Sequence, residues 1–192
     1  MTKLAVLVSG TGSFLEAMLD QGLPIDLVLA DRPCRGITDE VIRGRATVVC
    51  VPRSSFGKGN DFARRAFTLA VIAELRKCDI GLVAMAGFMT IFDLVIFDYY
   101  RNAILNTHPS LLPAFNGNHA VEDALAYGVK VIGCTIHIAT ADLDTGAILA
   151  QEAVRVLEGG SVTENHERIK EVERVLYPRV IEEYRSRGFR AP

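Results

Sequence analysis

Asn106 and His108 stand two residues apart in the stretch Ile104-Leu105-Asn106-Thr107-His108-Pro109-Ser110-Leu111-Leu112-Pro113. Residues i and i+2 of a strand share a face, so a short strand here presents an amide and an imidazole side by side. Pro109 has no N–H for a ladder and ends the strand, which puts the pair at its carboxyl end. Open α/β sheets build their sites at that end. An amide donor beside an acid–base group suits a carbonyl carbon becoming tetrahedral. The amide holds the developing oxyanion, and the imidazole gives or takes a proton near neutral pH. A rim histidine before a proline turn is the plainer reading of an isolated Asn-x-His. Asp144 supplies what the pair lacks, because a carboxylate near an imidazole favours its charged form and fixes its orientation. Its setting, Asp142-Leu143-Asp144-Thr145-Gly146, reads equally as a solvated turn.

A second chemistry-bearing stretch is Ser9-Gly10-Thr11-Gly12-Ser13, between the apolar run 4–8 and the helix-like run 14–19. In a strand, glycine loop and helix, backbone N–H groups at the helix start can receive a phosphate. Ser13 is expected to cap that helix, with Glu16 completing a capping box. The loop is a poor dinucleotide fingerprint, since Leu15 stands where a third small residue is needed. Asp31, about 20 residues on, is all that keeps an NAD reading open. His108, His119 and His137 have no H-x-x-x-H or H-E-x-x-H spacing, so no metal is expected. No G-x-S-x-G elbow offers a serine nucleophile. His166 reads as a solvated helix residue.

Positioning these residues requires strands alternating with helices. Apolar runs predict strands at 4–8, 25–30, 47–51, 80–85 and 104–108. Helices are expected at 36–45, at 61–77 with Phe62, Ala66, Leu69, Ala70, Ala73 and Leu75 inward, at 90–97 behind an early Asp93 cap, and at 120–127 ending on Gly128. Residues 54–60 read as a surface loop. Residues 131–139 alternate, with Ile132, Cys134, Ile136 and Ile138 on one side and Thr135 and His137 on the other. The short turn to 147–156 makes those two strands antiparallel. A final amphipathic helix carries Ile169, Val172, Leu176, Val180 and Ile181 inward, kinked or divided by Pro178. The fold class is α/β: a Rossmann-like, mostly parallel twisted sheet with helices on both faces and an antiparallel hairpin extension near the C-terminus.

The 192 residues, 49% hydrophobic and 23% charged, suffice for one domain with a sizeable core, read as 1–192. A net charge of −2 with scattered Lys and Arg argues against a nucleic-acid surface. No window approaches the roughly 20 apolar residues of a bilayer span, and Met1-Thr2-Lys3 begins no signal pattern. Cys34, Cys50, Cys78 and Cys134 are dispersed and read as reduced, mostly buried thiols. A cytoplasmic protein is expected, with small-molecule substrates, no nucleic acid and no membrane, and with a homodimer allowed.

The motif Asn106 to Pro113 followed by Gly117, together with Asp144-Thr145-Gly146, resembles the 10-formyltetrahydrofolate-dependent formyltransferase family. The likeness runs from about Leu4 to Tyr184 and implies the formyltransferase fold. Ser9 to Ser13, Ala86-Gly87-Phe88-Met89 and the ending Glu173 to Pro178 narrow it to the branch that formylates glycinamide ribonucleotide in purine synthesis. The resemblance implies 10-formyltetrahydrofolate as co-substrate, with no metal and no NAD. It implies that Asn106 and His108 stabilise the tetrahedral oxygen and that Asp144 orients and charges His108. Gly12, Ser13 and Phe14, with Lys170, Glu171, Val172 and Glu173, would contact the ribonucleotide. Arg64, Met89, Thr90, Ile91, Phe92, Asn106, Thr140, Ala141, Asp142, Leu143 and Asp144 would contact the folate. Phe14 departs from a usual asparagine, Thr90 from a frequent arginine, and Asn116 from a proline. A different amine acceptor, or a non-catalytic folate- or phosphate-binding module, is the alternative that Phe14 leaves open.

Overall fold

The strand β1 (Lys3–Val8) is fully buried from Leu4 onward, as a strand flanked by strands and covered on its faces must be. In the computed structural model, which describes residues 2–189, the chain falls into two units, Met1–Ile104 and Leu105–Pro192. Within the first, β1 pairs in parallel with β2 (Leu27–Ala30) and β4 (Ile80–Met85), and β2 with β3 (Thr47–Cys50). Helix α1 (Ser13–Asp20) follows β1, and α4 (Arg64–Lys77) precedes β4.

Several local expectations of this unit need correction. No side chain caps α1; its N-cap is Gly12, left-handed at φ 80°, and Glu16 bonds Arg35 at 3.1 Å instead of closing a box. The stretch 36–45 is two short helices, α2 (Arg35–Thr38) and α3 (Glu40–Arg43). They separate at Asp39, which is extended and accepts from the Val41 N–H at 2.9 Å. Residues 54–60 are at the surface as expected, with two 3-10 turns, Arg53–Phe56 and Gly59–Asp61, on either side of Gly57 and Lys58. The inner face of α4 is Phe67, Thr68, Val71, Ile72 and Leu75, while Ala66, Leu69 and Ala73 lie outside. Phe67, Val71 and Ile72 bury more apolar area than Ala66 and Ala73 would, Thr68 goes in with its hydroxyl on the Arg64 carbonyl, and Leu69 stays outside. The helix expected at 90–97 shrinks to α5 (Ile96–Tyr99). Asp93 gives its N–H to Thr68 Oγ1 at 2.9 Å and takes that of Val95 at 3.0 Å, so it shapes the turn ahead of α5, whose own N-cap, Val95, has no side-chain cap.

In the second unit Leu105 to His108 of β5 (Ile104–His108) pair antiparallel with β6 (Val131–Ile138), and β6 pairs antiparallel with β7 (Ile148–Arg155). Helix α6 (Ala120–Tyr127) ends as expected on a left-handed Gly128, φ 88°. The chain's capping box belongs to α7 (Val162–Ser186): Ser161 and Glu164 cap each other's backbone. That reciprocal bonding holds the Glu164 carboxyl below its ordinary range. Pro178 does not divide α7, which runs through it with Ile169, Glu173, Leu176, Tyr177, Val180, Ile181 and Tyr184 buried and Val172 half-buried. The Tyr177 hydroxyl donates to the Leu105 carbonyl at 2.8 Å, tying α7 to β5. His166 is half-buried rather than solvated, and burial lowers its basicity. The four cysteines are free, but only Cys134 is buried. Among the described residues no helix is long and apolar enough to cross a membrane.

Candidate active site

The pleat of β5 puts Asn106 and His108 on one side and Leu105 and Thr107 on the other. Antiparallel register then sets His137 directly opposite Asn106 and Thr135 opposite His108. Side chains of such pairs share a face at close range, so four polar groups converge. The Asn106 amide nitrogen lies 3.3 Å from His137 Nε2. His137 Nδ1 lies 3.1 Å from the Ile138 carbonyl, an acceptor that calls for the proton on Nδ1 and leaves Nε2 to accept from Asn106. Burial pushes the His137 imidazole below its ordinary range, in keeping with a neutral ring.

Asp144 comes to this face on the turn after β6. Its backbone is left-handed, φ 56°, a conformation Asp and Asn tolerate better than most residues. Gly146 lets the turn close: a Cβ there would lie 1.7 Å from the Ile138 carbonyl oxygen. The Asp144 side chain is 4% exposed, with Oδ2 3.5 Å from His108 Nδ1 and Oδ1 3.7 Å from His137 Nε2. The Gly117 N–H donates to Oδ2 at 3.0 Å. His108 Nε2 lies 2.9 Å from the Phe115 carbonyl. An acceptor therefore faces each nitrogen of His108, and only the doubly protonated ring has an N–H for both.

The segment between His108 and Gly117 is tied down along its length. Thr135 Oγ1 donates to the Ser110 carbonyl at 2.6 Å and accepts the Leu112 N–H at 3.0 Å. Gln151 of β7 donates to the Leu112 carbonyl and to Thr135 Oγ1, both at 2.9 Å. Gly133 makes room for Leu111, whose Cδ2 would lie 2.7 Å from a Cβ at that position. Ser110 Oγ donates to the Ala114 carbonyl at 2.6 Å, and the exposed Tyr127 ring packs edge-on against Phe115.

The second unit thus brings Asn106, His108 and Asp144 together, ties in Gly117 of the motif, and adds His137, Thr135 and Phe115, which the motif does not contain. His137 was legible in principle, from its alternation with Thr135. Glu173 lies elsewhere: it is 2% exposed on α7 and accepts from Thr107 Oγ1, on the other side of β5, at 2.5 Å. The Lys170 ammonium is paired with Glu167 at 2.8 Å, Glu171 is exposed and Val172 half-buried. Thr140, Ala141, Asp142 and Leu143 are exposed, in a loop where the Thr140 and Thr145 hydroxyls donate to the Asp142 carbonyl.

In the first unit Gly12 is buried against Gly36, and Ser13 and Phe14 open α1 half-exposed. Asp31 does not face outward; it is fully buried, with Arg32 at 2.9 Å and the Thr90 hydroxyl at 2.5 Å. Thr90 thereby commits its side chain to the scaffold. The Met89 N–H donates to Ser9 Oγ at 2.9 Å, while the Met89 and Ile91 side chains are 67% and 56% exposed. Phe92 stacks on Phe67 and Phe88, and Arg64 is the exposed first residue of α4. Among the described residues no group of three or more His, Cys, Asp or Glu could hold a metal ion.

The profile of the Formyl transferase family matches residues 2–181. Phosphoribosylglycinamide formyltransferase of Mycobacterium tuberculosis is 43% identical over 179 residues, covering 91% of this chain and 80% of that protein. The protein of the same name from Bacillus subtilis is 34% identical over 189 residues, covering 95% and 94%. The crystal structure of glycinamide ribonucleotide transformylase 1 from Symbiobacterium toebii is similar with a TM-score of 0.85 at 36% identity, across 94% of this chain and 86% of that one.

Proposed function

This chain belongs to the formyl transferase family, and from that premise we propose that it transfers a formyl group from 10-formyltetrahydrofolate to the amine of glycinamide ribonucleotide, a step of purine biosynthesis. The observation that carries the reading is the convergence of Asn106, His108 and Asp144 on one buried face, in a chain this similar to named transferases of that kind. The family match runs through both units, which supports reading 1–192 as one formyltransferase domain.

The reaction joins the acceptor nitrogen to the formyl carbon, then breaks the bond from that carbon to the folate nitrogen. One proton leaves the amine and one reaches the departing nitrogen. Between these events the formyl oxygen carries negative charge. The Asn106 amide has two N–H groups, of which one goes to His137; the second is the donor for that oxygen. The His108 Nε2–H, which meets the Phe115 carbonyl, is the group that would exchange that partner for the oxyanion or pass a proton. Asp144 holds the ring from its Nδ1 side.

For the substrates, the uncapped N-terminus of α1 at Gly12, Ser13 and Phe14 suits the ribonucleotide phosphate. Lys170, Glu171, Val172 and Glu173 are assigned to the rest of the ribonucleotide. The exposed apolar side chains of Met89 and Ile91, with Phe92 and the Thr90 backbone, suit a flat heterocycle, as does Leu143 in the 140–144 loop; Arg64 is assigned to the folate as well. The deciding experiment mixes the purified protein with both substrates and follows formylglycinamide ribonucleotide by mass spectrometry. Product formation is expected. A folded protein that binds folate without making that product would move the reading to another amine acceptor, with Phe14 the first position to change.

His137→Phe tests the positioning role within this scheme. Phenylalanine fills the space but gives Asn106 no acceptor, so the amide loses its fixed orientation. We expect kcat to fall about tenfold, the worth of one hydrogen bond, with both KM values nearly unchanged. An unchanged kcat would remove His137 from the machinery.

A further inference from the structure

We propose that Thr107 is a positioning residue for the acceptor substrate: its hydroxyl fixes the orientation and the charge of Glu173, and so the grip on the ribonucleotide. This rests on the assignment of Glu173 to the ribonucleotide made above. Thr107 sits between the two catalytic residues but points to the opposite side of β5, toward α7, where Oγ1 donates to Glu173 Oε1 at 2.5 Å. The contact spans 66 residues of sequence and joins the middle of the catalytic strand to the middle of α7.

Glu173 is nearly inaccessible at 2% exposure. Burial pushes its carboxyl up to about 7; the Thr107 hydrogen bond acts against this most strongly, followed by Lys170 and Arg174 on α7 itself. Lys170 is also engaged by Glu167 at 2.8 Å, and Arg174 lies 3.7 Å from the same carboxylate. From β6 the neighbour is Cys134, whose thiol is pushed up to about 12 by burial and by Glu173, so it stays neutral. Within this setting the hydroxyl of Thr107 supplies a short bond that favours the ionised carboxylate, and it holds Oε1 in one place. A midpoint near neutrality makes the carboxylate population sensitive to the loss of one donor.

The sign follows directly. Without the hydroxyl the carboxyl protonates at higher pH, so at neutral pH fewer molecules carry the anion, and raising the pH restores them. Thr107→Val, similar in shape but without a donor, is therefore expected to weaken binding of glycinamide ribonucleotide about fivefold at pH 7, a deficit that closes toward about pH 9. Thr107→Ser, which keeps the donor, is expected to bind as the unaltered chain does. The measurement is calorimetric titration of the full chain with glycinamide ribonucleotide across that pH range, with folate affinity as a control expected not to move. Should Thr107→Val fail to fold, Thr107→Ala gives the same readout. A deficit equal at every pH, or no deficit, overturns the inference. Glu173→Gln separates the two levels. If that variant binds the ribonucleotide poorly while Thr107→Val binds normally, the role of Thr107 fails and the assignment of Glu173 stands. If Glu173→Gln binds normally, the assignment itself fails.

Discussion

Asp144→Asn is expected to lower kcat for formyl transfer by roughly a thousandfold or more in a protein that still folds. The side chain keeps its volume and its left-handed backbone, which asparagine accepts as readily as aspartate. It also keeps an oxygen for the Gly117 N–H. What changes is polarity. An anion facing His108 Nδ1 at 3.5 Å and His137 Nε2 at 3.7 Å becomes a neutral amide. With its oxygen kept on the Gly117 N–H, which is also the position facing His108 Nδ1, the amide turns its donor toward His137 Nε2 in competition with Asn106, and the anion is withdrawn from both rings. Steady-state kinetics with thermal unfolding of the same samples decides the matter. A kcat within tenfold of the unaltered chain, at equal melting temperature, would show that Asp144 is a structural turn residue.

Asn106→Ala is expected to cost about a hundred to a thousandfold in kcat with little change in either KM, because the lost donor acts on charge that exists only while the carbon is tetrahedral. The same substitution strips His137 Nε2 of its 3.3 Å donor inside a buried face. An unsatisfied buried acceptor costs about 1–3 kcal/mol, so a lower melting temperature should accompany the kinetic loss. A rise in KM at constant kcat would instead place Asn106 among the groups that merely hold the substrate.

The strands that carry the chemistry were legible because their signals are local. The apolar runs and the stop at Pro109 predict β4 and β5 to the residue, and Gly128 marks the end of α6. Misreadings arose where a side chain had a distant partner. Thr90 and Asp93 look like helix residues until Asp31 and Thr68 claim their polar atoms. On α4 the alanine spacing points to a face that the structure leaves outside with Leu69, the core being taken by Phe67, Val71, Ile72 and Leu75. A strand-loop-helix sequence invites a capping box at Ser13, yet the left-handed Gly12 already opens that helix and a box forms at Ser161. Asn106, His108 and Asp144 were legible by type and spacing. For His137 the alternation with Thr135 gives only its side of the strand, its partner Asn106 coming from strand register, and Thr107 is not legible at all, because its partner stands on a helix 66 residues away.

Phe115 and Gly117 are two residues apart, and between them they supply the carbonyl that meets His108 and the N–H that meets Asp144. Their distance along the chain from His108 is set by Ser110, Leu111 and Leu112, which Thr135, Gly133 and Gln151 anchor to the sheet. Such a segment behaves as a ruler. Changing its chemistry residue by residue alters one contact at a time, but inserting or deleting a single residue shifts both marks together and misplaces an imidazole and a carboxylate in the same event. A change of length here therefore costs two contacts where a replacement costs one, whereas the turn at Glu158-Gly159-Gly160 that leads into α7 holds no reacting group for a length change to misplace.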